Sequence, residues 1–511
     1  MTPPTSPAPG AAARIRPGLA GAPDRVDLVV VGLGVTGAGV ALDAASRGLS
    51  VLAVDTHDVA FGTSRWSSKL VHGGLRYLAS GQVGIAHESA VERGILMERT
   101  APHLTRAVPW LVPVFEGTRR SGLLALAGFR AADVLRRVAG TSHHTLPRPR
   151  RVGRGEALRM APALRHAGLV GGVVGWDGQL EDDARLVTCL ARTATAYGAD
   201  VRTHARVLTA TGREVELRDE LTGAAHTVAA GAVVNAAGVW AGQVAGDIRL
   251  RPSRGTHVVL RAASLPGLFG VLSMPVPGSR SRFVFCVPQP DGTIHLGLTD
   301  EPAGGEIPDV PEPTPGEVDF LLDVAGRALE RPLTKKDVIG AFAGLRPLLD
   351  AEGATADLSR RHAVLTSPSG VVTVVGGKLT TYRRMAEDAV DATGVTGSVS
   401  VTRDVPLLGA APRAQLARLE APARLVRRFG TEAALVLGTA REVTGLRDDV
   451  LLAPGPQGIT LAELVFGVTH EGATDVDDLL DRRVRVGLVP EDREAARPLA
   501  ERALALARAV P

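Results

Sequence analysis

A chain of 511 residues with 45% hydrophobic content can bury a large core and is long enough for two or three domains. The formal charge of +4 is a mild bias toward anionic partners, and aromatics at 3% disfavour a stacking surface for single-stranded nucleic acid. Cys189 and Cys286 make no C-x-x-C, which argues against a disulfide framework, a dithiol centre or a cysteine zinc site and fits a reducing cytosol.

Residues 1–24 are rich in Pro, Ala and Gly and are expected to form a disordered tail. MTPPTSPAPG has no apolar run of the kind a signal peptide needs, and no later stretch is long and apolar enough to span a bilayer. Residues 27–31 then read as a buried strand. Gly32-Leu33-Gly34-Val35-Thr36-Gly37 follows as G-x-G-x-x-G, residues 38–47 as a helix with Gly48 as its C-cap, and residues 50–54 as a second strand ending at Asp55. Asp55 lies 18 residues after Gly37, close to the spacing of a ribose-binding carboxylate. A dinucleotide site needs these parts: Gly34 lets backbone approach the pyrophosphate, the helix N-terminus favours its charge, and the acid accepts from ribose hydroxyls. A glycine turn that only packs a helix on a sheet is the alternative.

Two glycine-paired segments stand about 300 residues apart, Ser67-Ser68-Lys69-Leu70-Val71-His72-Gly73-Gly74-Leu75-Arg76-Tyr77 and Gly376-Gly377-Lys378-Leu379-Thr380-Thr381-Tyr382. Close backbone approach beside cations suits an anionic ligand. Residues 233–240, VVNAAGVW, read as a strand entering a tight turn, and residues 371–375 as another running into Gly376. Strands entering glycine turns at start, middle and end suit one long cofactor such as FAD, bound across a discontinuous domain, better than NAD. On its own VVNAAGVW is equally an ordinary buried strand.

The expected fold is α/β: a discontinuous Rossmann-like FAD-binding domain at about 25–110, 166–255 and 340–400, with a substrate or cap region at about 111–165 and 256–345. HVVL, RFVFCV and TIHLGL imply an antiparallel sheet over the flavin, and residues 301–316 read as a loop. Residues 25–400 thus form the oxidoreductase region and residues 405–511 a helical C-terminal domain, with helical patterns at 412–430 and 491–510. Asp182-Asp183 begin a helix, where acids cap and complement the dipole; acid–base or metal work is the weaker reading. No metal site is expected, since thirteen histidines form no H-E-x-x-H and His143-His144 is adjacent. Residues 119–138 set Leu123, Leu124, Leu126, Phe129, Val134 and Leu135 beside Arg119, Arg120, Arg130, Arg136 and Arg137, which suits either core packing or an anionic membrane surface.

On SSKLVHGGLRYL (67–78), EDDARLV (181–187), VVNAAGVW (233–240), RGTHVVL (254–260), GLTD (297–300), GLRPL (344–348) and GGKLTTYRRMAE (376–387), residues 25–510 resemble the FAD-dependent, quinone-linked glycerol-3-phosphate dehydrogenases. Asp55 stands where glutamate is common and Val239 where proline often stands. The resemblance implies oxidation of glycerol 3-phosphate, FAD as cofactor and a membrane quinone as acceptor, at the inner face of the cell membrane. The substrate is a dianion with a secondary alcohol at C2, so the site needs a phosphate clamp and a proton acceptor. By match, Arg76, Tyr77, Arg346, Arg360 and Lys378 bind substrate. His257 is the first choice of base and His72 the second, each with a packing role as the alternative. His257, Arg346 and Lys378 form the catalytic set. FAD would be held by Gly32, Gly34, Thr36, Gly37 and Asp55; by Thr63, Ser64, Ser68, Lys69, Leu70, His72 and Gly74; by Val207, Ala237, Gly238 and Trp240; and by Gly377, Lys378, Leu379 and Thr380. Nucleic acid is not an expected partner; a homodimer is allowed, with no residue to argue it. Two rivals stay open: an oxidase on the same fold, and a flavin-binding module without activity. The oxidases tend to carry an insertion before the C-terminal domain, and none is obvious here.

Overall fold

The strands Arg25–Val31 and Val51–Val54 are apolar on both faces because both faces of their sheet are covered. Leu28, Val30, Val51 and Ala53 pack into one core beneath the helices Val35–Ser46, Asp183–Ala196 and Tyr382–Thr393. Val29, Val31, Leu52 and Val54 face a second core shared with the meander of strands Ala205–Ala210, Glu214–Asp219 and Ala225–Asn235. A computed structural model describes residues 13–74, 78, 81–279, 282–349 and 362–509.

Arg25–Val31 pairs in parallel with Val51–Val54 on one side and Ala225–Asn235 on the other. Ala225–Asn235 in turn pairs in parallel with Val372–Val375, so the sheet is assembled from segments nearly 350 residues apart. The FAD-binding fold is thus discontinuous. A second sheet, of ten strands among the described residues, carries the strands Ser253–Arg261, Val271–Pro275, Phe283–Pro288, Thr293–Gly297 and Val338–Arg346, joined largely antiparallel. Beyond residue 400 the assigned elements are helices, with Ala423–Phe429, Ala433–Thr444, Leu461–Thr469 and Pro490–Arg508 around one apolar core. The helical pattern at 412–430 is divided into Arg413–Leu416 and Ala423–Phe429, with Pro422 at the second start.

Two expectations need correction. Residues 13–24 are ordered: Arg16–Pro17 adds a parallel edge strand to Asp200–Thr203, and Ala13 and Ile15 are buried. The buried Arg202 guanidinium ties this segment down by donating to the carbonyls of Ala20 (2.7 Å) and Gly21 (3.1 Å). Composition missed it because the partners lie 180 residues away. Residues 1–12 lie outside the described residues. Second, the strand Leu169–Leu180 does not join the nucleotide sheet; it pairs with Thr105–Phe115 along its length in the second sheet.

Candidate active site

The glycine turn is shaped by contacts that leave no room for a side chain. Gly32 has φ +100°, and a Cβ there would lie 2.7 Å from the Ala236 carbonyl oxygen. A Cβ on Gly37 would fall 1.8 Å from the carbonyl oxygen of Gly32, so the helix Val35–Ser46 can approach the turn only with glycine there. Gly34 is the N-cap, and the Ser64 hydroxyl accepts from Val35 N at 2.9 Å. Asp55 closes the turn by accepting from Leu33 N (2.7 Å) and His57 N (2.9 Å). Burial pushes its carboxyl above the usual range. Each oxygen keeps a second lone pair.

This turn opens on a cavity of about 1460 Å³. Gly32, Gly34, Thr36, Asp55, Thr63, Ser64, Ser68, Leu70, His72, Val207, Ala237, Gly238 and Trp240 line it, with Gly377, Lys378, Leu379 and Thr380. The Thr63 hydroxyl donates to the Leu345 carbonyl at 2.6 Å and joins this cradle to the second sheet.

Strand register builds the other end. Ser253, Gly255 and His257 stand opposite Arg346, Gly344 and Phe342, so alternation sends all six side-chain positions to one face. Two glycines on that face make the space. A Cβ on Gly255 would lie 2.2 Å from Arg346 Nη2, and one on Gly297 2.2 Å from His257 Cδ2. Arg346 Nη1 lies 3.2 Å from Asp300 Oδ1, and Nη2 donates to the Thr299 carbonyl at 3.4 Å. The His257 ring stacks on Phe342 (4.8 Å), and its Nε2 lies 2.8 Å from the Ser68 hydroxyl. Burial, then the charges of Arg346 and Lys69, push His257 down to about 3. Lys378 Nζ approaches the Ser89 hydroxyl at 3.5 Å.

The model for FAD dependent oxidoreductases matches residues 27–383, and that for the C-terminal domain of alpha-glycerophosphate oxidase matches residues 400–510. Glycerol-3-phosphate dehydrogenase 1 of Mycobacterium tuberculosis is 53% identical over 484 residues, covering 92% of this chain and 93% of that protein. The chain belongs to the FAD-dependent glycerol-3-phosphate dehydrogenase family. Within that family, the mitochondrial enzyme SDP6 of Arabidopsis thaliana is 33% identical, covering 93% of this chain and 81% of its own. The X-ray structure of the Bacillus halodurans glycerol-3-phosphate dehydrogenase complexed with FAD superimposes with a TM-score of 0.70 at 28% identity, covering 94% of this chain and 91% of that one. FAD is the cofactor of the family, and the residues here fit it: the side-chain-free turn, the helix N-terminus and Asp55 all face one cavity.

Not every expected residue lines that cavity. Gly37 sits beneath the turn as a packing position, and Gly74 is buried outside the lining. The Lys69 side chain turns away: its ammonium pairs with Asp183 at 2.8 Å, both groups buried. Arg76, Tyr77 and Arg360 lie outside the described residues. Sequence reasoning missed Arg93 and Asp177, which line the cavity as a 2.6 Å ion pair, with Asp177 also accepting from Gly73 N at 3.3 Å. The available signal was a lone acid inside the apolar strand VVGWDGQL. Asp300, the end of GLTD, was in view as a motif without a role; it anchors Arg346.

Proposed function

We propose that the protein oxidises sn-glycerol 3-phosphate to dihydroxyacetone phosphate, with the electrons passed on to a membrane quinone. The observation that carries this is the convergence of Arg346, Lys378 and His257 on the cavity that also holds the nucleotide cradle. When bound, FAD supplies the two-electron acceptor for the C2 hydride. Arg346, steadied by Asp300 and the Thr299 carbonyl, presents a guanidinium fork to the phosphate, and Lys378 adds a second positive charge. Arg76, Tyr77 and Arg360 complete the clamp by family match. His257 accepts the hydroxyl proton. Its ring is neutral before substrate arrives, and a dianion placed beside Arg346 supplies negative charge that raises its basicity. His72, also in the lining, is the second candidate.

We place the protein at the inner face of the cell membrane through the helix Arg119–Val138. Leu123, Leu124, Val134 and Val138 are exposed there, as are Arg120, Arg130 and Arg137, which suits an anionic headgroup layer. Arg136 is not part of that face; it is buried and paired with Asp133 at 2.7 Å. Among the described residues no helix is long and apolar enough to cross a membrane. To test the acceptor, enzyme reduced by substrate under anaerobic conditions would be mixed with a short-chain quinone or with air. Fast reoxidation by quinone and slow reoxidation by air is the expected result. Fast peroxide formation in air would replace the dehydrogenase reading with the oxidase one.

A further inference from the structure

We infer that Asp183 is a positioning residue for the active site: it fixes the Ser67-Ser68-Lys69 loop so that the Ser68 hydroxyl meets His257, and Arg485 braces it from the C-terminal helical region. The inference rests on the proposed roles of His257 and the cavity. Two adjacent acids begin the helix Asp183–Ala196, and they do different things. Asp182 is the cap, accepting from Ala184 N (3.0 Å) and Arg185 N (3.4 Å). Asp183 Oδ1 shares the Ala184 N donor (3.0 Å), but with Asp182 already capping the helix this one bond does not account for the complete burial of Asp183.

Its other hydrogen bonds all go to the loop. Oδ1 accepts from Lys69 Nζ at 2.8 Å, and Oδ2 accepts from both the backbone N (3.0 Å) and the hydroxyl (2.8 Å) of Ser67. The Ser67 hydroxyl in turn accepts from Lys69 N at 2.9 Å. Lys69 sits at φ +55°, a conformation that a lysine adopts at some cost and that surrounding contacts must hold. The residue between these two anchored ones is Ser68, whose hydroxyl lies 2.8 Å from His257 Nε2. Lys69 Nζ also lies 6.0 Å from the Phe342 ring on which His257 stacks.

Arg485 closes the arrangement from behind. Its Nε lies 3.7 Å from Asp183 Oδ1, its Nη2 donates to the Arg65 carbonyl, and its guanidinium lies 5.2 Å from the Trp66 ring. Burial alone would push the Asp183 carboxyl up, but Lys69, Arg485 and the Ser67 donor hold it well below the usual carboxylate range. A charged carboxylate accepting from Lys69, twice from Ser67 and from Ala184 N is stiff, and Asn at this position would lose the charge and one acceptor while keeping the shape.

The test is Asp183→Asn, read by hydrogen exchange without substrate and by kinetics per bound flavin. Peptides covering residues 63–72 should exchange roughly tenfold faster while the helix Asp183–Ala196 keeps its protection. At full flavin occupancy kcat should fall about tenfold with KM within about threefold. Unchanged loop exchange, or equal loosening of loop and helix, would overturn the inference, the second because it marks a general structural role. If that variant fails to fold, Ser67→Ala removes one arm only and should show the same pattern, weaker; wild-type exchange and kcat in it would be equally fatal. Should wild-type enzyme prove inert to glycerol 3-phosphate, the function reading fails, while the exchange result still decides whether Asp183 holds the loop.

Discussion

The two ends of the cavity are built by different logic. The nucleotide end has a local kernel: strand, turn, helix and acid fall within residues 25–55, with the Ala236 carbonyl against Gly32 and the Ser64 hydroxyl on Val35 N added from further along the chain. The opposite end is assembled from afar, with His257 and Arg346 on neighbouring strands 89 positions apart in sequence, Lys378 after a third strand, and Asp183 and Arg485 behind them. A local site tolerates distant change but not a single extra carbon; a distributed site should lose function in steps while the fold and cofactor remain.

The sharpest break of the local end is Gly37→Val. With a backbone oxygen 1.8 Å from the new Cβ, the helix must move off the turn, at about 3 kcal/mol from overpacking. Purified protein should carry little flavin, which the ratio of visible to ultraviolet absorbance reports. Arg346→Ala addresses the distributed end. Flavin content should be unaffected, and kcat/KM should fall roughly a hundredfold, matching about 3 kcal/mol for a charged phosphate contact. Gly255→Ala is the subtler probe. It leaves every polar group in place but crowds the Arg346 guanidinium, so a loss of about tenfold in kcat/KM is expected, with a normal flavin spectrum. A silent Gly255→Ala would mean that the guanidinium position does not matter.

That contrast also marks what the sequence could reveal. The cradle was legible because its spacing reflects its geometry, and the antiparallel roof because the strand-like segments HVVL, RFVFCV and TIHLGL alternate with turns. His257 and Arg346 were reachable through family motifs, not through any pattern of their own, whereas Lys378 also stood out beside its glycine pair. The pairings Arg93–Asp177 and Asp183–Arg485 were not reachable: a lone acid in an apolar strand or at a helix start can be noticed, but only folding reveals which arginine meets it. The same blindness hid residues 13–24, whose carbonyls satisfy Arg202 from across the chain.

Buried histidines sharpen the comparison through pH. Burial pushes His103 down to about 3, with Arg185 adding to it, and His257 lies equally low. The unfolded chain takes up protons on these rings below about 6.5, whereas the folded protein does not until near 3. Stability is therefore unaffected above 6.5 and falls as pH drops toward 3, by about 1.4 kcal/mol per unit for each ring. Urea melts between pH 7 and 5 should show the slope, and His103→Leu should reduce it by one ring's share. The smallest effect is expected outside both ends: Leu123→Asp, on the exposed face of Arg119–Val138 and away from the cavity lining, should shift stability by no more than about 0.5 kcal/mol yet abolish flotation with anionic liposomes. Unaltered flotation would remove this helix from the membrane face.

The central claim is that a flavin cradle and a glycerol 3-phosphate clamp share one cavity. An anaerobic titration of the purified holoenzyme, followed by its visible spectrum, tests it most directly. The account predicts that the flavin bands bleach with glycerol 3-phosphate and persist with glycerol or lactate. Bands that persist with all three would contradict the substrate assignment, and bleaching by glycerol as readily as by its phosphate would contradict the clamp.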